Sequence, residues 1–274
     1  MERRIVNPQR VNPQAMRFAL FVVALGAAGA ALAPVQGAPT APWVSLFNGR
    51  NLEGWTPKIV GHKLGEDPMR TFRVEGGNLV VRYDGYEKFD GRFGHLFYGT
   101  PASRYKLRLE YRFVGQQVPE GPGWAWKNSG VMIHGQPPET MGERQDFPVS
   151  AEVQLLGGDK EGDRPTANLC TPGTNVMYNG QLWRQHCTNS NSPTFRGEEW
   201  VRLELDVNGP EDVVHYINGQ EVFRYREVQL DPNDADAKAW AASGAESLIR
   251  SGSISLQSES HPVEFRRIAL QLKR

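Results

Sequence analysis

Residues 147–158 read FPVSAEVQLLGG, and this stretch decides the fold class. Side chains along a strand point alternately to opposite faces. Val149, Ala151, Val153 and Leu155 therefore share one side, and Ser150, Glu152, Gln154 and Leu156 the other. The first face is apolar and can pack inward. The second sets a carboxylate beside an amide, about 7 Å apart along the strand at ~3.4 Å per residue. Residues 128–135, NSGVMIHG, alternate likewise, with Val131 and Ile133 opposed to Asn128, Met132 and His134. If the two segments pair, Glu152, Gln154 and His134 can share one polar surface. That surface is the candidate site, and Glu152 and Gln154 are expected to line a groove.

Outward from this pair, residues 105–114, YKLRLEYRFV, set Leu107, Leu109, Tyr111 and Phe113 against Arg108, Glu110 and Arg112. Residues 72–81 read as a hairpin about Gly76-Gly77, and 213–225 as one about Asn218-Gly219. Further strands are expected at 200–207, 253–260 and 263–272, and one helical segment at 234–250. Residues 83–94 and 115–127 read as loops, the second carrying Trp124 and Trp126. Residues 158–199 are poorly periodic, with one hairpin-like piece at Asn179-Gly180; such long loops are usually functional. Short strands, tight turns and little helix indicate an all-β antiparallel sandwich or barrel. No repeat or second linker divides 38–274, so a single domain is expected there.

The 274 residues balance 31 Lys+Arg against 31 Asp+Glu, so charge offers no argument for nucleic acid or an anionic membrane as partner. Residues 18–33 are almost wholly apolar and follow Arg17. The run is short for a spanning helix, which needs about 20 residues. It reads as the apolar core of a secretory signal over 1–37, cleaved after Gly37, with translation starting at Met1 or Met16. The rival reading is an uncleaved anchor. A secreted or periplasmic chain with no stable membrane insertion after cleavage is expected. In such a chain Cys170 and Cys187 form one disulfide, the rival being two buried thiols.

Several segments, in order, resemble the bacterial 3-keto-disaccharide hydrolase domain family. They are SLFNGRNLEGW (45–55), FRVEGGNLVV (72–81), YKLRLEYRF (105–113), KNSGVMIHG (127–135), AEVQLLGG (151–158), HYINGQEVFRY (215–225) and SGSISLQSESHPVEFRRIAL (251–270). The resemblance implies a concanavalin A-like jelly-roll sandwich of two antiparallel sheets, in a secreted protein that handles sugars oxidised at C3. It implies that Asn128, Glu152 and Gln154 lie on the concave sheet and that Glu110 is a recurrent strand carboxylate. Near the C-terminus the chain departs from the family pattern. Gln257-Ser-Glu-Ser-His261 stands where many members read Gln-Asp-His-Gly, so Glu259 takes a position often held by His.

Ordinary retaining glycosidases need two carboxylates about 5–5.5 Å apart. Gln154 cannot serve as acid, base or nucleophile. A C3 carbonyl changes the requirement, because it acidifies the hydrogen on C2. A base can then remove that proton, and the enolate expels the substituent on C1. Water addition completes hydrolysis; stopping earlier gives a lyase. Glu152 is the expected base and His134 its partner, acid or metal ligand. Asn128 and Gln154 would bind sugar hydroxyls, while Glu110, Arg112, Gln257 and Glu259 would complete the site. Trp126 could stack on a sugar ring. A divalent cation (Ca²⁺, Mn²⁺ or Zn²⁺), with Glu152 and His134 as candidate ligands, could hold the enolate. The competing readings are a carbohydrate-binding module using the same face without turnover, and a structural cell-surface domain.

Overall fold

The computed structural model describes residues 41–159 and 161–273. The expected signal segment, 1–37, lies outside the described residues. In chain order the strands are β1 (Val44–Ser45), β2 (Trp55–Ile59), β3 (Phe72–Glu75), β4 (Asn78–Val81), β5 (Gly94–Ala102) and β6 (Arg104–Phe113). Then come β7 (Asn128–Gly135), β8 (Ala151–Leu156), β9 (Asn168–Cys170), β10 (Thr174–Tyr178), β11 (Gln181–Trp183) and β12 (Cys187–Thr188). The last are β13 (Val201–Asn208), β14 (Val213–Ile217), β15 (Gln220–Leu230), β16 (Gly252–Ser258) and β17 (Val263–Leu272), with one helix, α1 (Ala235–Ala242), before β16.

These strands make two antiparallel sheets. The larger runs β11-β10-β15-β14-β13-β6-β17-β4-β3, with β1 paired to β17; the smaller runs β12-β9-β8-β7-β16-β5-β2. The pattern is a jelly-roll sandwich of the concanavalin A type. Its core is one apolar cluster drawn from both inner faces. Tyr105, Leu107, Leu109, Tyr111 and Phe113 of β6 join Val131 and Ile133 of β7 and Val153 and Leu155 of β8. Burying each such side chain is worth about 1.5–3 kcal/mol, so the alternation fixes which residues are left for the outer faces.

β7 and β8 pair as the alternation requires, from Asn128 opposite Leu156 to Ile133 opposite Ala151. The Asn218-Gly219 turn carries positive φ at both residues, 49° and 85°, and joins β14 to β15. Two expectations need correction, and one strand carried no expectation. The helix spans only Ala235–Ala242, because the chain reverses at Gly244 with φ 105°. Residues 158–199 hold four short strands, β9 to β12, which extend both sheets at their margins. β5, in GHLFYGTPA, mixes Gly, Pro and polar residues and lacks a clean alternation, yet it sits between β16 and β2.

Candidate functional site

The outer face of the smaller sheet carries the polar residues. Glu152 lies opposite Met132 on one side and Cys170 on the other, and Gln154 lies between Gly130 and Asn168. Beyond β7, Ser255 of β16 is opposite Met132, while Gln257 pairs with His95 of β5, itself opposite Lys58 of β2. The sheet thus carries Lys58, His95, Gln257, Gln154 and Asn168 on one face across its width.

Gly130 makes room for this arrangement. A Cβ there would meet Glu152 Oε1 at 2.7 Å and Gln257 Oε1 at 3.0 Å, so both oxygens converge over its backbone. Any larger residue would push the carboxyl and the amide apart.

Many of these groups are buried without partners. Glu152 is 6% exposed and Glu259 3%, and Gln257 is fully buried. Glu152 Oε1, Glu259 Oε2, Asn128 Oδ1, both amide atoms of Gln257, both ring nitrogens of His261 and His95 Nε2 make no hydrogen bond. Such groups ordinarily cost about 1–3 kcal/mol each, and native chains keep few of them. Burial raises the Glu152 carboxyl well above the ordinary carboxylate range. Burial, then the charge of Glu152, does the same to Glu259, with Arg164 opposing. Two adjacent carboxyls in a dry site do not both ionise, so the pair holds a proton near neutral pH. Burial, together with Lys127 and Arg164, lowers His261 to about 4, so it is a neutral imidazole.

Trp126 forms one wall. Lys127 Nζ lies 5.0 Å and Arg164 Cζ 5.6 Å from its ring centroid, and His261 meets the ring edge-on at 5.9 Å. Arg164 is fixed by donating to Lys127 O (3.0 Å), Gly157 O (2.7 Å) and Trp124 O (3.3 Å). Asn128 Nδ2 reaches the same Trp124 carbonyl at 3.5 Å. Gln154 is half-buried and accepts from Asn168 Nδ2 at 3.0 Å.

The structure therefore brings together Asn128, Glu152, Gln154, Trp126, Gln257 and Glu259, but not the remaining candidates. Glu110 and Arg112 belong to β6, and their neighbours Leu109 and Tyr111 face the core. Both consequently point out of the larger sheet, on the opposite side of the sandwich from Glu152. Glu110 is held by Arg266 (2.7 Å) and Arg267 (2.8 Å). Arg112 is bonded to Glu264 at 2.8 Å and stacked on Trp200 at 4.6 Å. These are ion-pair partners, and their expected place in the site is corrected.

His134 is also displaced. Two residues of β7 oppose one of β16 at this point, a bulge that gives His134 φ 50° and turns its ring aside. Its Nε2 lies 3.1 Å from Gly209 O, in the turn between β13 and β14 of the other sheet, and burial lowers it to about 4. The metal expectation loses its ligand pair with it. Among the described residues no group of three His, Cys, Asp or Glu side chains is placed to hold a metal ion. Glu152 is largely buried on this face, and Gln154 beside it is half-buried.

Arg164, His261, His95 and Gly130 were not singled out by spacing as site residues. His95 lies in the irregular β5 and Arg164 in the aperiodic 158–199 region, so neither carried a local signal. Cys170 and Cys187 are bonded, with Cα atoms 4.1 Å apart, and staple β9 to β12 beside Glu152.

An antiparallel jelly roll with a buried carboxyl–amide cluster on the outer face of its smaller sheet defines a protein of the concanavalin-like β-sandwich class. The chain belongs to the 3-keto-alpha-glucoside-1,2-lyase-like domain family, whose model matches residues 42–271. Among solved structures, one from Parabacteroides distasonis ATCC 8503, described as a candidate glycosyl hydrolase, is 15% identical, with TM-score 0.51 over 85% of this chain and 100% of that one. A Bacillus licheniformis beta-glucanase is 10% identical, with TM-score 0.47 over 87% and 100%. The carbohydrate binding module CBM66 of Bacillus subtilis is 10% identical, with TM-score 0.40 over 85% and 96%. At these identities the likeness concerns the fold. No curated protein matches the chain.

Proposed function

We propose that the protein is an exported carbohydrate-active enzyme that cleaves 3-keto-glycosides by removing the C2 proton and eliminating the C1 substituent. The observation that carries this reading is the cluster of buried, unpartnered polar atoms on Asn128, Glu152, Gln257, Glu259 and His261. A polyhydroxylated ring would satisfy them. Glu152 would take the C2 proton in its ionised form, and the C2–H electron pair would pass into the C2=C3 enolate. Gln257, whose amide has no partner beside Glu152, would donate to the enolate oxygen. Asn128, Gln154 and Trp126 would bind and orient the sugar. Whether water then adds decides between hydrolase and lyase. The expected signal segment and the Cys170–Cys187 disulfide support an oxidising compartment outside the cytoplasm.

Incubation with 3-keto-trehalose or 3-keto-lactose tests the reading. Release of glucose, with ordinary trehalose and lactose left intact, is the expected result. Binding of a plain glycan with no turnover of any 3-keto sugar would favour a lectin-like module instead.

A further inference from the structure

We propose that Glu259 is the general acid that protonates the departing glycosidic oxygen, and that the proton it gives is then returned to it from Glu152. The assignment rests on the 3-keto-glycoside reading and extends it from the base to the whole proton cycle.

Glu259 directly follows β16, two residues past Gln257, and its carboxyl is buried with Oε2 unpartnered. The backbone beside it is clamped. Ser260 takes φ 88°, a conformation rarely adopted by a residue with a side chain. Its N–H donates to Tyr83 Oη at 2.7 Å, its carbonyl accepts from Val118 N at 3.0 Å, and its hydroxyl accepts from Gln117 Nε2 at 2.8 Å. A strained residue held from three directions fixes where the Glu259 side chain begins.

The other polar groups around this face are neutral or engaged elsewhere. His261 and His95 are neutral, lowered to about 4 and about 3, the first by burial with Lys127 and Arg164, the second by burial with Lys58. Arg164 is held by three backbone carbonyls, Lys127 Nζ is seated over the Trp126 ring at 5.0 Å, and Lys58 Nζ donates to Glu143 O at 2.9 Å. That leaves the carboxyl pair. Arg164 favours the ionised form of Glu259, which is the form left after it donates.

The step balances. Glu152 carboxylate gains the C2 proton. As the enolate collapses, C3=O re-forms, C1=C2 forms, the C1–O bond breaks, and the leaving oxygen takes the proton of Glu259. The pair ends with one proton, as it began, on the other member. Transfer from Glu152 to Glu259 resets it.

The test compares two leaving groups, a sugar alkoxide in 3-keto-trehalose and p-nitrophenolate in p-nitrophenyl 3-keto-glucoside, which departs without protonation. With Glu259→Gln, turnover of the disaccharide should fall by about 10²–10⁴ while the aryl glycoside stays near wild type; Glu152→Gln should slow both. Equal slowing of both substrates by Glu259→Gln, or of neither, overturns the assignment. Wild-type protein that cleaves neither substrate defeats the underlying functional reading instead. A variant-free readout covers a folding defect: wild-type turnover of the disaccharide should fall at alkaline pH, and turnover of the aryl glycoside should not. Alkaline limbs of the same shape on both substrates would contradict the role of Glu259.

Discussion

At the residue scale, the site depends on one carboxyl, one glycine and the space between them. Gly130→Ala puts a methyl group where Glu152 Oε1 and Gln257 Oε1 now converge. Turnover should fall by about 10²–10⁴, because a displaced base loses its reach to C2. Retention of the wild-type rate would show that the carboxyl does not work from this position. The buried pair also has a signature in stability. A carboxyl whose folded pKa lies above its unfolded value stabilises the fold fully below the ordinary carboxyl range and loses that contribution as pH rises through the folded value. Glu152→Gln is neutral at every pH. Its melting temperature should therefore rise relative to wild type as pH climbs from about 5 to 9. Melting curves that run parallel across this range would contradict a proton held by the pair.

At the element scale, alternation was legible and its interruptions were not. Period-2 patterning in β7 and β8 correctly separated Val131, Ile133, Val153 and Leu155 from Asn128, Glu152 and Gln154. The same pattern cannot reveal a bulge, which is why His134 reads as a neighbour of Glu152 and is instead a tie to the β13–β14 turn. Alternation also says nothing of which sheet a strand joins, so Glu110 and Arg112 face outward as expected, but from the wrong sheet. His134→Ala should leave turnover unchanged and lower stability by about 1–3 kcal/mol, the cost of stranding the Gly209 carbonyl. Loss of activity with an unchanged melting temperature would restore a chemical role. The Cys170–Cys187 staple closes a separation of 17 residues and should contribute about 3 kcal/mol. Reduction or Cys187→Ser should then lower the melting temperature by roughly 6–12 °C for a domain of this size. An unchanged transition would show that the edge strands hold without it.

At the scale of the whole molecule, two sheets share one core and leave two chemically different outer faces. The larger sheet carries satisfied ion pairs such as Glu110 with Arg266 and Glu264 with Arg112. The smaller sheet carries buried groups that lack partners. The strand pattern narrowed the architecture to an antiparallel sandwich or barrel, because short alternating strands with Asn-Gly turns have few other solutions, and the family resemblance pointed to the sandwich. Part of the site was not legible, because Arg164 and His95 reach it only once distant segments are folded together. The central claim is that Glu152 works as a base on C2 rather than as a glycosidic nucleophile on C1. It is tested most directly by cleaving 3-keto-trehalose in D₂O and following the C2 hydrogen by NMR, with an enzyme-free control for spontaneous exchange. Proton abstraction requires the released keto-sugar to have lost its C2 protium, either as the unsaturated product or as C2–D after water addition. Release of a keto-sugar that retains C2–H, or equally fast cleavage of unoxidised trehalose, would contradict it.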